Sequence, residues 1–243
     1  MINFGGKMKR FWLVTLLVLL STTLLANLGE DPYVGLRGKT LSYTNHYDGD
    51  KIGTIDVRIV NGDNGDKYKT IVKVHNKFHI RAYLVFTYDY NTKVNMFFDK
   101  NGLIYTSGKT NDDGSKFEYY AKLKDGKFIV NNLRKNKEFP IADFTGLNLN
   151  FVQSKKMKAD LTSSFKTLTV MNVERGKLDK LKVKKAGDKT IKVHGKSYSC
   201  FGIKWKLGIR TGISYYDNAT GALVRSDVTK KGNTLIIKLK SIK

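Results

Sequence analysis

Cysteine occurs once in this 243-residue chain, at Cys200, and proline only twice. A single cysteine excludes an intramolecular disulfide and any multi-cysteine zinc or iron–sulfur site. Two prolines beside 22 glycines exclude collagen-like and proline-rich architectures. Acidic residues are scarce: 21 Asp and Glu stand against 44 Lys and Arg, a formal charge of +23. No Gly-x-Ser-x-Gly, His-Glu-x-x-His or P-loop pattern occurs, so no motif ties a nucleophile, a zinc pair or a phosphate cradle to one segment. Beyond residue 26 no apolar run reaches membrane-spanning length.

Hydrophobic residues make up 41% of the chain and aromatics 12%. That is enough to bury a core, so disorder does not follow from the charge. Residues 1–10 are short and basic, 11–20 are apolar apart from Thr15, and 21–26 are small and semi-polar. This is the layout of a secretory signal peptide cleaved after Ala26. An uncleaved anchor is the alternative; a spanning helix needs about 20 apolar residues, and 11–26 offers 16, three of them polar near its end. Cleavage removes three basic residues and no acidic one, leaving +20 of the +23.

Export makes the expected address periplasmic. For such a protein nucleic acid is not the expected partner; phospholipid head groups or acidic glycans of the envelope are the natural anionic surfaces. A lysine-rich solvated exterior with no partner is the competing explanation. In an oxidising compartment Cys200 is a buried, inert thiol, a catalytic nucleophile or one half of an intermolecular disulfide, and its strand-like surroundings favour the first.

The body reads as one long meander. Asp-Gly or Asn-Gly pairs fall at 48–49, 61–62, 64–65, 101–102, 113–114 and 125–126. They favour the positive-φ turns that close two-residue hairpins. Looser signals follow at 175–176, 187–188, 194–195, 220–221 and 232–233. Between turns the apolar period is two. Ile55, Val57 and Ile59 share one face, as do Val94, Met96 and Phe98, then Phe117, Tyr119, Ala121 and Leu123, and Leu235, Ile237 and Leu239. Phe201, Ile203, Trp205, Leu207 and Ile209 share another, opposite Gly202, Lys204, Lys206, Gly208 and Arg210. One oily and one lysine-bearing face per strand imply a sheet with one wet side. Roughly a dozen such strands exceed what stays flat. The expected fold is therefore all-β: an antiparallel meander forming a strongly curved sheet or β-barrel over residues 27–243, with a two-lobed arrangement as a variant.

Residues 138–165 break the rhythm. They hold Pro140, several apolar residues and no Asn-Gly or Asp-Gly turn. Such a segment is a lid, a barrel plug or an ordinary crossover strand. His75 and His79 are about 13 Å apart along a strand, too far to share a metal. The loops at 61–66 and 111–115 lack the closing Glu of a calcium loop. Neither a metal nor another cofactor is expected.

Three stretches carry a family resemblance: YTNHYDGDKIG at 43–53, FFDKNGLIYTSGKTNDDG beginning at Phe97, and ISYYDNATGALVRSDVTKKGNTLIIKL at 213–239. They resemble the opening, central and closing hairpins of an uncharacterised family of exported bacterial β-rich proteins, a domain of unknown function. The resemblance implies a periplasmic address and a long antiparallel sheet, and it assigns no catalytic residue.

The functional expectation is a non-catalytic periplasmic protein binding a lipid-like or amphiphilic ligand in its curved interior. Phe144, Leu147, Phe151, Trp205 and Tyr215 are the candidate lining residues. The alternatives are an envelope interaction module with a filled core, and a hydrolase whose acids meet only in space.

Overall fold

A computed structural model describes residues 26–27, 31–62, 69–82, 86–132, 135–140, 146–147, 151–153 and 155–243. The signal-peptide assignment for 1–26 and the Asn64-Gly65 turn lie outside these, apart from Ala26. The first meander contains β2 (Thr40–Tyr47), β3 (Asp50–Asn61), β4 (Thr70–Ala82), β5 (Phe86–Asp99), β6 (Gly102–Asp112), β7 (Ser115–Lys124), β8 (Lys127–Asn132) and β9 (Lys135–Pro140). The second contains β11 (Lys166–Asn172), β12 (Lys177–Val193), β13 (Lys196–Leu207), β14 (Arg210–Asp217), β15 (Leu223–Lys230) and β16 (Asn233–Ile242). Two short strands, β1 (Ala26–Asn27) and β10 (Gly146–Leu147), extend the edge beside β11, and α1 (Lys155–Asp160) precedes it.

All sixteen strands described form one sheet, and within each meander every strand pairs antiparallel with the next. The two meanders join where β16 pairs with β2. Backbone bonds between Thr40 and Lys243, at 2.8 and 3.0 Å, finish that seam. The sheet does not close: among the described residues β9 ends it on one side and β1 on the other. The meander and its curvature are thus as expected.

The turns follow their chemistry. Asp48-Gly49, Asp113-Gly114 and Asp125-Gly126 each place both residues at positive φ and close a two-residue hairpin. That twist matches the right-handed twist of the flanking strands. His194-Gly195 and Lys231-Gly232 do the same in the second meander.

Facing inward are Ile55, Val57, Val74, Val94, Met96, Ala121, Val130, Val183, Ile203, Trp205, Leu235 and Leu239, all buried in a single core drawn from both meanders. Two interior glycines make room for aromatic rings. A Cβ on Gly212 would strike the Trp205 indole, and one on Gly108 would strike the Tyr119 ring. Each ring therefore lies across the neighbouring strand where other residues would carry a side chain. The Trp205 Nε1–H donates to Ser214 Oγ at 3.0 Å, and Ser214 and Ser226 hydroxyls meet at 2.8 Å. The indole is thus packed and satisfied.

One strand face is corrected. Leu207 pairs with Arg210 across a turn formed by Gly208 and Ile209. The turn resets the alternation, so Ile209 is 60% exposed and Arg210 is turned inward and buried. Period-two reading carried the face of β13 past its end. Gly202 sits at an irregularity, opposite the shift between Lys185 and Gly187.

Gly212→Ala is expected to lower stability by about 1–3 kcal/mol through overpacking against Trp205. Gly35→Ala, where the new methyl meets nothing within 4 Å, is expected to change it by less than about 0.5 kcal/mol. Urea unfolding of both variants followed by tryptophan fluorescence checks the contrast.

Candidate functional site

The two ends of the barrel-like sheet differ chemically. At one end the segment around the 3-10 turn Val34–Leu36 and residues 151–153 fill the interior. Tyr33 packs at a tilt against Phe98, 5.5 Å between centroids, and Phe151 does the same against Tyr43 at 5.4 Å. The Phe151 carbonyl accepts from Leu223 N–H, and Val152 bridges to Ala222. α1 lies over this end, with Lys158 Nζ donating to Asn218 Oδ1 at 2.6 Å and lying 5.2 Å from the centroid of the Phe201 ring. Asp31 accepts from Thr70 and Arg37 beneath it. The described parts of 138–165 thus include a plug at 151–153.

The opposite end is ionisable. Arg210 and Lys230 are directly paired inward-facing residues of β14 and β15, both buried. Across the interior, β5, β6 and β7 present Tyr88, Tyr90, Asp112 and Tyr119. Tyr88 Oη–H donates to Asp112 at 2.5 Å. Between the two groups projects the β11–β12 turn, Val173 to Gly176. Asn172 Oδ1 accepts from Arg175 N–H at 3.1 Å, and Gly176, at φ 56°, lets the chain reverse. Side chains of the free edge reach over to that turn: Asn132 donates to the Glu174 carbonyl at 3.4 Å and Lys137 Nζ to the Gly176 carbonyl at 3.0 Å. These contacts bridge the open seam of the sheet at its ionisable end.

Glu174 is the centre of this arrangement. Burial, opposed by Arg175 and reinforced by Asp112, raises its carboxyl to about 7. Burial raises Asp112 as well, partly offset by the Tyr88 hydrogen bond. Tyr88, Tyr90 and Tyr119 are held protonated, first by burial and then by negative charge, with Glu174 contributing in each case. On the other side burial and then Arg175 lower the Arg210 guanidinium to about 10, and burial followed by Arg210 lowers Lys230. Cations thus face carboxyls and hydroxyls across one end of an apolar interior. Such a set can bind a charged or zwitterionic head group, and a carboxyl near neutrality can also exchange protons.

The residues singled out from sequence fall in different places. Phe151 is in the plug and Trp205 in the core, both buried. Tyr215 is half-buried on the outer face of β14, its neighbours Ser214 and Tyr216 pointing inward. Leu147 lies in β10, and Phe144 lies outside the described residues. Sequence reasoning missed Glu174, Asp112, Arg210 and Lys230. The Arg175-Gly176 turn signal was the available pointer, since it brings Glu174 to a strand end.

His75 and His79 bond separately, to Asn91 at 3.0 Å and Asp89 at 2.7 Å. No cluster of metal-ligating side chains occurs among the described residues. Cys200 is buried, its thiol raised to about 11 by burial and Asp217, which makes it a poor nucleophile at neutral pH.

Residues 43–240 match the model of a domain of unknown function (DUF6134), and the chain belongs to that family. A β-barrel-like protein of a different domain of unknown function, DUF1849 from Brucella abortus, superposes with a TM-score of 0.60 at 12% identity, covering 86% of this chain and 98% of that one. It shares the fold. A protein described as exported, with a YmcC-like fold, from Bacteroides fragilis gives a TM-score of 0.34 at 11% identity, covering 90% of this chain and 100% of that one. A search of curated proteins returns no match.

A raised carboxyl makes a signed prediction. The folded state holds the Glu174 proton up to about pH 7, whereas the unfolded chain releases it near its ordinary value of 4.5. Stability is therefore fully present below about pH 4.5 and falls as pH rises through 7, by up to about 3 kcal/mol. Glu174→Gln is expected to flatten this slope and to be the more stable protein at about pH 8. Denaturant midpoints across that pH range, for both proteins, measure it.

Proposed function

We propose that this chain is a non-catalytic, exported binding protein that receives an amphiphilic ligand at the ionisable end of its barrel. The observation that supports this is the division of the interior into a plugged apolar end and a charged end. An amphiphile has the same division, and its head group matches the ring of Arg210, Lys230, Glu174 and Asp112. Two further interior side chains fit a polar guest: Asn45 and Asn76 are fully buried, and neither carboxamide has a hydrogen-bond partner. Buried amides are rarely left so. The export layout of residues 1–26 supports the periplasmic address.

A second reading has its own observation. Phe151 on Tyr43 and Trp205 over Gly212 are close-packed, which favours an interaction module with a filled core. Native mass spectrometry of the protein purified from periplasm, followed by lipid extraction, separates the two. The binding reading expects a stoichiometric amphiphile, and Arg210→Gln with Lys230→Gln to weaken its retention by about ten- to a hundredfold, the scale of a lost charged hydrogen bond. A clean apo mass that does not shift on adding envelope lipids would favour the filled-core module instead.

A further inference from the structure

We infer that the outer face of β12 and β13 is a docking surface for an anionic phospholipid bilayer. Lys180, Lys182 and Lys184 project outward from β12, and Lys204 and Lys206 from β13, on the side opposite buried Leu181, Val183, Ile203 and Trp205. The register sets Lys182 directly opposite Lys206, and Lys184 directly opposite Lys204. Directly opposed like charges weaken a sheet. None of the ion pairs among the described residues includes any of the five. Nor do these lysines guard a sheet edge, a frequent use of lysine on strands: β12 and β13 are flanked here by β11 and β14. Their other contacts are with neutral groups: Lys180 Nζ donates to Thr169 Oγ1 at 2.7 Å, and Lys184 and Lys206 lie over the Phe165 ring, so no carboxylate offsets the repulsion of this face.

The spacing suits a surface rather than a single ion. The lysines form a grid about 7 Å along each strand and about 5 Å across, fixed on a rigid sheet. Apolar side chains stand beside it. Phe165 is 38% exposed, with Lys184 and Lys206 Nζ 5.0 and 5.2 Å from its ring centroid. Ile209, exposed at the β13–β14 turn, is three positions beyond Lys206. Lysines flanking exposed aromatic and aliphatic side chains match a head-group interface, where the cations meet lipid phosphates and the apolar groups enter the acyl boundary. An acidic polysaccharide would use the cations alone.

The test is co-sedimentation of the full-length mature protein with vesicles of phosphatidylcholine alone and of phosphatidylcholine with phosphatidylglycerol. Binding is expected to the anionic vesicles only, and to be lost at high salt. The triple variant Lys182→Gln, Lys204→Gln, Lys206→Gln is expected to bind about a hundredfold more weakly, at roughly fivefold per lysine. Its thermal midpoint should be unchanged or higher, since repulsion has been removed, so weak binding cannot be blamed on misfolding. Lys77→Gln, Lys93→Gln and Lys122→Gln together, on the other meander, should leave binding within about threefold. Phe165→Ser should weaken it without altering its salt dependence. Three results would each overturn the proposal: no preference for anionic vesicles, equal losses in the two triple variants, or capture by heparin with vesicles ignored.

Discussion

The pairing of β16 with β2 is the constraint on which the rest of the structure depends. Each meander alone is a curved sheet with one apolar face, and neither can cover that face by itself. Joining the first long strand to the last sets the two apolar faces around a common core. The interaction is also highly non-local: Thr234 N–H bonds Asp48 across 186 residues. Bringing such distant strands together costs about 2 kcal/mol more in loop entropy than closing a twelve-residue hairpin. The hairpins are local and can form early, whereas the seam waits for both halves. The reciprocal bonds of Thr40 and Lys243 show the pairing carried to the last residue.

Once that seam is made, the other edges are left apart, and the chain bridges them with side chains rather than a strand ladder. Asn132 and Lys137 reach from β8 and β9 to carbonyls of the β11–β12 turn. This places Glu174 at the end of the barrel instead of out in solvent. The unusual carboxyl is thus a consequence of incomplete closure. A complete barrel would have hydrogen-bonded β9 to the opposite edge of the sheet and had no need of the turn as a bridge. The plugged end follows from the same geometry, because an open-ended curved sheet exposes apolar rims unless Tyr33, Phe151 and α1 cover them.

Much of this was legible in the sequence, for a physical reason. Period-two alternation reports which face of a strand is buried, and Asp-Gly pairs report where the chain reverses. Ile55, Val57 and Ile59, or Leu235, Ile237 and Leu239, therefore carry their orientation openly. Alternation does not report which strand is a neighbour, so the β16–β2 seam could not be read. It also does not report where a strand ends: Gly208 and Ile209 fit the pattern of β13 while forming its turn, which hid the inward aim of Arg210. The ionisable cluster was hidden for a related reason. Asp112, Glu174, Arg210 and Lys230 stand beside four different turns and share no spacing, and each alone reads as an ordinary polar residue beside a turn.

Inside and outside, charge is handled in opposite ways. Within the barrel, cations and carboxyls are few and face one another, because in a poorly solvated space a charge is tolerated only near a counter-charge or in its neutral form. Glu174 and Lys230 are both shifted toward neutrality, Glu174 beside the opposite charge of Arg175 and Lys230 among the cations Arg210, Lys231 and Arg175. On the outer face of β12 and β13 water removes that requirement, and five lysines are gathered without a carboxylate among them. Solvent screening makes the gathering tolerable but gives no reason for it. The proposed bilayer would supply one, since a surface of one sign lowers its free energy when an extended surface of the other sign approaches. The interior chemistry and the exterior chemistry therefore point in complementary directions: a barrel end suited to a single head group, and a sheet face suited to many.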